Sequence, residues 1–294
     1  MRGRKRKHDE TKVIIDEKNI VQCQSIIRGY LARKDYHIPF LDKSERSDYD
    51  VLFVGNDPEL KGIKKYKAKT NKIAFIGTSG MRSILLACEL SAKETLPKLI
   101  IVDNSDKVVN FWRAFRDFAQ NYKAHDNYFL TQFKKFLSSH LGKPIAALHP
   151  HHNLQTYSTD SINYVDQDPV HFMQRLIDHF GVDRVISIVK SVTILPQKWE
   201  NPELWPKLKN ILDICGIKKV YLYPSNIASC LCPHKSQLML QNIADFNPSF
   251  VIHTDLCFHH RLPERTFFFK NNHPHNVAAS LFGERKPIEK KIRN

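Results

Sequence analysis

A glycine-bearing turn and a carboxylate 23 residues beyond it are the side chains of this sequence best suited to hold a ligand. The turn reads Phe75-Ile76-Gly77-Thr78-Ser79-Gly80-Met81-Arg82, and the carboxylate is Asp103. Without a Cβ, the backbone at Gly77 and Gly80 can come close to a bound molecule. An acid after the following strand can accept hydrogen bonds from ribose hydroxyls, and the step from Gly80 to Asp103 is near the roughly 20 residues of a nucleotide-binding unit. A dinucleotide fingerprint wants three glycines, and Ser79 stands where the middle one belongs, which counts against a nicotinamide dinucleotide. The plainer alternative is structural: the glycines make a tight turn, and Asp103 caps a helix.

Other residue types with chemistry to offer are dispersed. Seven of the fifteen histidines gather at His149-Pro150-His151-His152, His259-His260 and His273-Pro274-His275, and Cys230, Cys232 and His234 add two thiols and an imidazole. None of these has the ligand spacing of a zinc site, so no metal is expected. The six cysteines lie mostly inside apolar runs and read as reduced thiols of an intracellular protein.

The elements around the turn alternate. Residues 73–76 form an apolar run typical of a strand buried on both faces, 81–90 read as a helix, and 99–102 as a second buried strand ending at Asp103. Residues 108–118 are helical, with Phe111, Trp112, Phe115 and Phe118 on the apolar face. Helices are expected over 128–141 and 170–180. The alternation resumes with a strand over 184–189, a helix over 205–214, a strand over 220–223 and a helix over 235–246. Two closing strands, 249–253 and 266–269, flank a loop containing Arg261-Leu262-Pro263-Glu264. This order implies an α/β fold: a Rossmann-like, mostly parallel sheet between helices, ending in an antiparallel strand pair. Before it, residues 1–17 are a basic tail, 18–37 a helix and 38–70 a connector with one short strand candidate at 51–54. The α/β domain runs over 71–283, and 284–294 are a second basic tail.

The 18–37 helix has a seam and a charged flank. Ile20, Cys23, Ile27 and Leu31 recur at three- and four-residue spacing, with Arg28, Arg33 and Lys34 beside them. Gly29 inside such a run costs about 1 kcal/mol against alanine, a poor choice for a purely structural helix. The stretch Cys23-Gln24-Ser25-Ile26-Ile27-Arg28-Gly29-Tyr30-Leu31-Ala32-Arg33 resembles the IQ motif, with Cys23 as a small hydrophobe at the position usually held by Ile, Leu or Val. The resemblance implies calmodulin or a calmodulin-like protein as partner. It assigns Cys23, Gln24, Ile27, Arg28, Gly29, Arg33 and Tyr36 to the contact, in the helix-in-groove mode.

The α/β segment, over roughly residues 72–270, resembles the S-adenosylmethionine-binding region of class I methyltransferases. A narrower likeness, carried by Lys72-Ile73-Ala74-Phe75-Ile76-Gly77 and Val102-Asp103-Asn104, is to the cofactor region of nicotianamine synthases. The resemblance implies S-adenosyl-L-methionine as cofactor. Gly77, Ser79 and Gly80 would line its methionine and ribose part, Asp103 would hold the ribose, and Asp160 would lie at the adenine end. Phe75 replaces the family's acid before the first glycine, and the Asn/Asp-Pro-Pro-aromatic motif is absent. No catalytic residue is therefore named. Family practice points to Lys190-Ser191-Val192 after the fourth strand, and the loop Tyr223-Pro224-Ser225-Asn226 is a second place to look.

Charge and hydropathy bound the rest. A net charge of +15 calls for an acidic partner, whether calmodulin, nucleic acid, a phosphorylated substrate or an anionic surface. Arg2-Gly3-Arg4-Lys5-Arg6-Lys7 has the composition of a nuclear-localisation or polyanion-binding tail, but no nucleic-acid-binding module accompanies it. No apolar run is long enough to span a membrane, and no secretory leader is evident. The expectation is a cytoplasmic S-adenosylmethionine-dependent transferase, by resemblance a methyltransferase, that is recruited or regulated by calmodulin. In a host cytosol it would fit a secreted bacterial effector. The rival expectation is a non-catalytic calmodulin-binding adaptor on a degenerate Rossmann-like domain. A basic nucleic-acid-modifying enzyme is the third.

Overall fold

Five residues with no exposed face, Ile73–Gly77, form the central strand β1. A computed structural model describes residues 37–49, 51–55, 63–123, 128–141, 168–257 and 262–270, and the α/β body begins at Ile38. Around β1 lie β2 (Lys98–Asp103), β3 (Thr193–Pro196), β4 (Lys219–Ser225), β5 (Phe250–Cys257) and β6 (Leu262–Lys270), in the order β3-β2-β1-β4-β5-β6. The first five run parallel, and β6 pairs antiparallel to β5. From β1 the chain steps outward to β2 and β3, then crosses back to β4 on the other side. The direction of winding therefore reverses between β1 and β4.

Alternation along each strand feeds two cores. Ile73, Phe75, Leu99, Ile101 and Tyr221 face one side, while Ala74, Ile76, Ile100, Val102 and Leu222 face the other. Helices α1 (Arg82–Leu90), α2 (Asp106–Asn121), α3 (Phe129–Leu141), α4 (Pro169–Phe180) and α5 (Val182–Lys190) cover the first face. Helices α6 (Leu204–Ile214), the short α7 (Ile227–Cys230) and α8 (Pro233–Phe246) cover the second. The result is a three-layer α/β/α architecture. Between α2 and α3 the core is aromatic: Phe118 and Phe136 stack at 5.0 Å between ring centroids, and Phe115 and Phe133 approach to 5.5 Å. Such pairs contribute about 1 kcal/mol each beyond the area they bury.

Local chemistry sets the helix ends. Ser105 caps α2, its hydroxyl accepting from Val108 N–H. Asp168 caps α4, one carboxylate oxygen accepting from Val170 N–H at 2.7 Å and His171 N–H at 3.1 Å, with Pro169 in the first position. Gly181, at φ 83°, separates α4 from α5, a backbone angle that L side chains avoid.

Three expectations need correction. Residues 184–189 form helix α5, not a strand: Val185, Ile188 and Val189 recur at helical spacing and are buried, and the strand is the next segment, Thr193–Pro196. Residues 51–54 are not a strand either but an extended cover over the start of α1. Strand β6 begins at Leu262, inside the segment read as loop. The segment read as a connector contributes Ile38, Phe53, Val54 and Ile63 to the two cores.

Candidate functional site

The turn leaving β1 is crowded. A Cβ on Gly77 would stand 2.4 Å from Ser83 Oγ. One on Gly80 would stand 2.0 Å from Leu52 O and 2.2 Å from Phe53 O. Ser79 between them has φ 55°. The segment 51–55 lies directly on this turn: Met81 N–H donates to Phe53 O at 2.6 Å, and Arg82 N–H to Val54 O at 3.1 Å. Carbonyls of the chain itself therefore occupy amides at the start of α1, the kind of group that cradles an anion in a phosphate-binding turn. At Gly80 the close backbone approach is to residues 52 and 53.

Asp103 fastens the same turn from the other side. Its Oδ2 accepts from Thr78 Oγ1 at 2.7 Å and Ser79 N–H at 3.1 Å, and its Oδ1 accepts from Ser105 N–H at 2.8 Å. The Asn104 amide adds a further bond. Burial pushes this carboxyl above the usual carboxylate range, and these hydrogen bonds pull the other way. Trp112 Nε1–H donates to Ser79 O, tying α2 to the turn. Ser105 Oγ–H donates to Tyr49 O at 2.6 Å, and Arg46 pairs with Asp106 at 2.7 Å, so residues 46–49 close over the end of β2.

Next to the reversal, the carboxyl end of β4 and the middle of β5 carry a polar group that sequence reasoning only half found. Ser225, at φ 54°, is in register with His253 past an irregularity in the β4–β5 pairing. Ser225, Asn226, His253 and Thr254 are all buried. Asn226 Oδ1 accepts from Cys230 Sγ–H at 3.9 Å, while Asn226 Nδ2 and Thr254 Oγ1 find no protein partner among the described residues. Ligands of open α/β sheets bind beyond the carboxyl ends of the strands at such a reversal. The signal for His253 and Thr254 was present: two polar residues end the apolar run 250–252, at the same strand end as Ser225 and Asn226.

Of the residues singled out from sequence, Gly77, Ser79, Gly80 and Asp103 come together in one cluster. Asp160 and the IQ-like residues Cys23, Gln24, Ile27, Arg28, Gly29, Arg33 and Tyr36 lie outside the described residues, as do the histidines at 149–152, 259–260 and 273–275. Lys190, Ser191 and Val192 do not follow a strand. They end α5 and lead into β3, at the amino ends of the strands and away from the reversal point. Cys230 and Cys232 are exposed, and no group of three or more metal-ligating side chains occurs among the described residues. Cys88 is buried in α1, where burial pushes its thiol up to about 12, so it stays protonated.

Compared with known families, residues 17–37 match the IQ calmodulin-binding motif. No curated protein matches the chain. The match supports calmodulin as a partner, and among the described residues no helix is long and apolar enough to cross a membrane.

Proposed function

We propose that this chain is a calmodulin-binding protein whose α/β domain takes S-adenosyl-L-methionine and transfers a group from it, by resemblance a methyl group. The IQ match at residues 17–37 carries the first half. What supports the second is the reversal of winding between β1 and β4, with the Thr78–Ser79–Asp103 cluster at the carboxyl ends of β1 and β2 beside it. In this reading Gly77, Ser79 and Gly80 border the methionine and ribose, and Asp160 reaches the adenine. Asp103 accepts from the ribose diol, for which it must release the Thr78 hydroxyl, since its two oxygens already take four donors. The buried amide of Asn226 and hydroxyl of Thr254 face the same end of the sheet and offer further polar contacts.

Calorimetric titration of S-adenosylmethionine into the full chain, with and without calmodulin, tests the cofactor. Saturable binding, unweakened in Thr78→Val, is expected; absence of heat in both states removes the transferase reading. The partner is tested separately by calmodulin pull-down of Arg28→Glu beside wild type, with loss of retention expected for the variant.

A second reading, a non-catalytic calmodulin-binding adaptor, is favoured by one observation. The amides and the space that a ligand would use at Gly80, Met81 and Arg82 are filled by residues 52–54. The absence of heat just described, with calmodulin still bound, is the outcome this reading expects.

A further inference from the structure

The amino ends of the parallel strands, opposite the candidate site, are headed by lysine. Lys98 opens β2, Lys72 precedes β1, Lys218 precedes β4 and Lys219 opens it. The register sets Lys98 opposite Ala74 and Lys219 opposite Ile73, on the two strands that flank β1, so these two heads stand about 10 Å apart across it. Lys218 and Lys219 both donate their amides to Lys72 O, which fixes the three heads in one ledge. Lys67 and Lys69 extend the ledge beside the end of α1, where Ala68 N–H bonds Leu90 O. All six side chains are exposed, and none forms an ion pair among the described residues. Carboxylates at this end include Glu94, Glu89 held near Lys64, Asp213 held by Lys209 at 3.2 Å, Asp178 beside Lys64, Asp183 beside Arg184, and Asp245, which accepts from Gln241.

Charge alone has a plain explanation, because cations near helix carboxyl ends offset the helix dipole. That explanation does not reach two aliphatic side chains at the same end. Leu96, in the turn before β2, is 50% exposed, and Ile214, the last residue of α6, is 66% exposed. Each belongs to the connection leading into a lysine-headed strand.

We propose that this ledge docks the protein peripherally on an anionic lipid bilayer. Exposed lysines are attracted to acidic headgroups and hold no fixed geometry, while protruding aliphatic side chains enter the boundary of the acyl region. A nucleic acid would use the lysines but has no place for Leu96 and Ile214. The neighbouring Arg184 is turned inward onto Ser91 and Ala92 O.

The test is flotation of the full-length chain with phosphatidylcholine vesicles, with and without phosphatidylserine. Wild type is expected to float with the anionic vesicles alone. The triple variant Lys72→Glu, Lys98→Glu, Lys219→Glu is expected to bind about tenfold more weakly or worse. The double variant Leu96→Ser, Ile214→Ser is expected to bind several-fold more weakly at unchanged net charge, with an unchanged circular dichroism spectrum. Failure of wild type to float overturns the proposal. So does flotation of both variants like wild type, which would assign the binding to the basic residues 2–7 or the IQ segment 17–37. A third overturning outcome is an inert aliphatic pair, with the lysine variant losing vesicles and a single-stranded oligonucleotide equally; the ledge would then be a general polyanion surface.

Discussion

Asp103 illustrates how one side chain can be selected by its hydrogen-bond inventory. Four donors converge on it from the turn after β1 and the start of α2. Only a carboxylate accepts at both oxygens; an amide would present N–H groups to some of those donors. Asp103→Asn should therefore cost about 1–3 kcal/mol in urea unfolding. The pH dependence has a definite sign. Because burial raises this carboxyl, the folded chain keeps a proton where the unfolded chain has lost it. The stability this group contributes is fully present below the ordinary carboxylate pKa of about 4 and falls as pH climbs from there through the raised value. Urea melts at stepped pH should show that fall in wild type and not in Asp103→Asn, which lacks the titrating carboxyl. At Gly80, the oxygens of Leu52 and Phe53 leave no room for a methyl group. Gly80→Ala should lower stability by about 2 kcal/mol or more, read as a drop in Tm.

At the scale of elements, α5 shows tertiary packing overriding composition. Its β-branched residues suit a strand, but four of them, Val185, Ile186, Ile188 and Val189, line the helix face buried in the core. The helix also positions Arg184, whose guanidinium reaches Ser91 Oγ and Ala92 O, both at 2.8 Å, just past the last turn of α1. That contact closes the end of α1 with a side chain from nearly a hundred residues away. Lysine at this position keeps the charge but is a single point donor without the planar fork. Arg184→Lys should cost about 1 kcal/mol in denaturant unfolding, and Arg184→Ala about 2 kcal/mol.

At the scale of the molecule, the parallel sheet gives two chemically different ends. The carboxyl ends hold Asp103, Ser225, Asn226, His253 and Thr254, and the amino ends hold the lysine ledge. The body between them is a cooperative core, and Cys88 reports on it. With its thiol buried and held up to about 12, it should resist iodoacetamide in the native protein and react only on global unfolding. Exposed Cys215 should react at once, and peptide mass spectrometry separates the two. Equal labelling of both in the native state would mean that the first-face core opens locally.

Strand–helix alternation, the apolar runs at β1 and β2, and the IQ pattern were legible in the chain because each is a local signal. Residues 73–76 and 99–102 are apolar without interruption, as strands covered on both faces must be, and Gln24, Arg28, Gly29 and Arg33 are read by spacing alone. The meeting of the turn after β1 with Asp103 was legible too, as the distance between two strand ends. Local pattern could not say which donors the carboxylate meets, because Thr78, Ser79 and Ser105 reach it only when β1 and β2 lie side by side. Nor could it say that residues 52–54 fill the space above Gly80, since that contact joins segments with no shared periodicity. Helix α5 was misread for the same reason: β-branched residues carry both periods, and burial against the first core chose between them. The lysine ledge depends on register alone, which aligns residues far apart in sequence at one edge of the sheet.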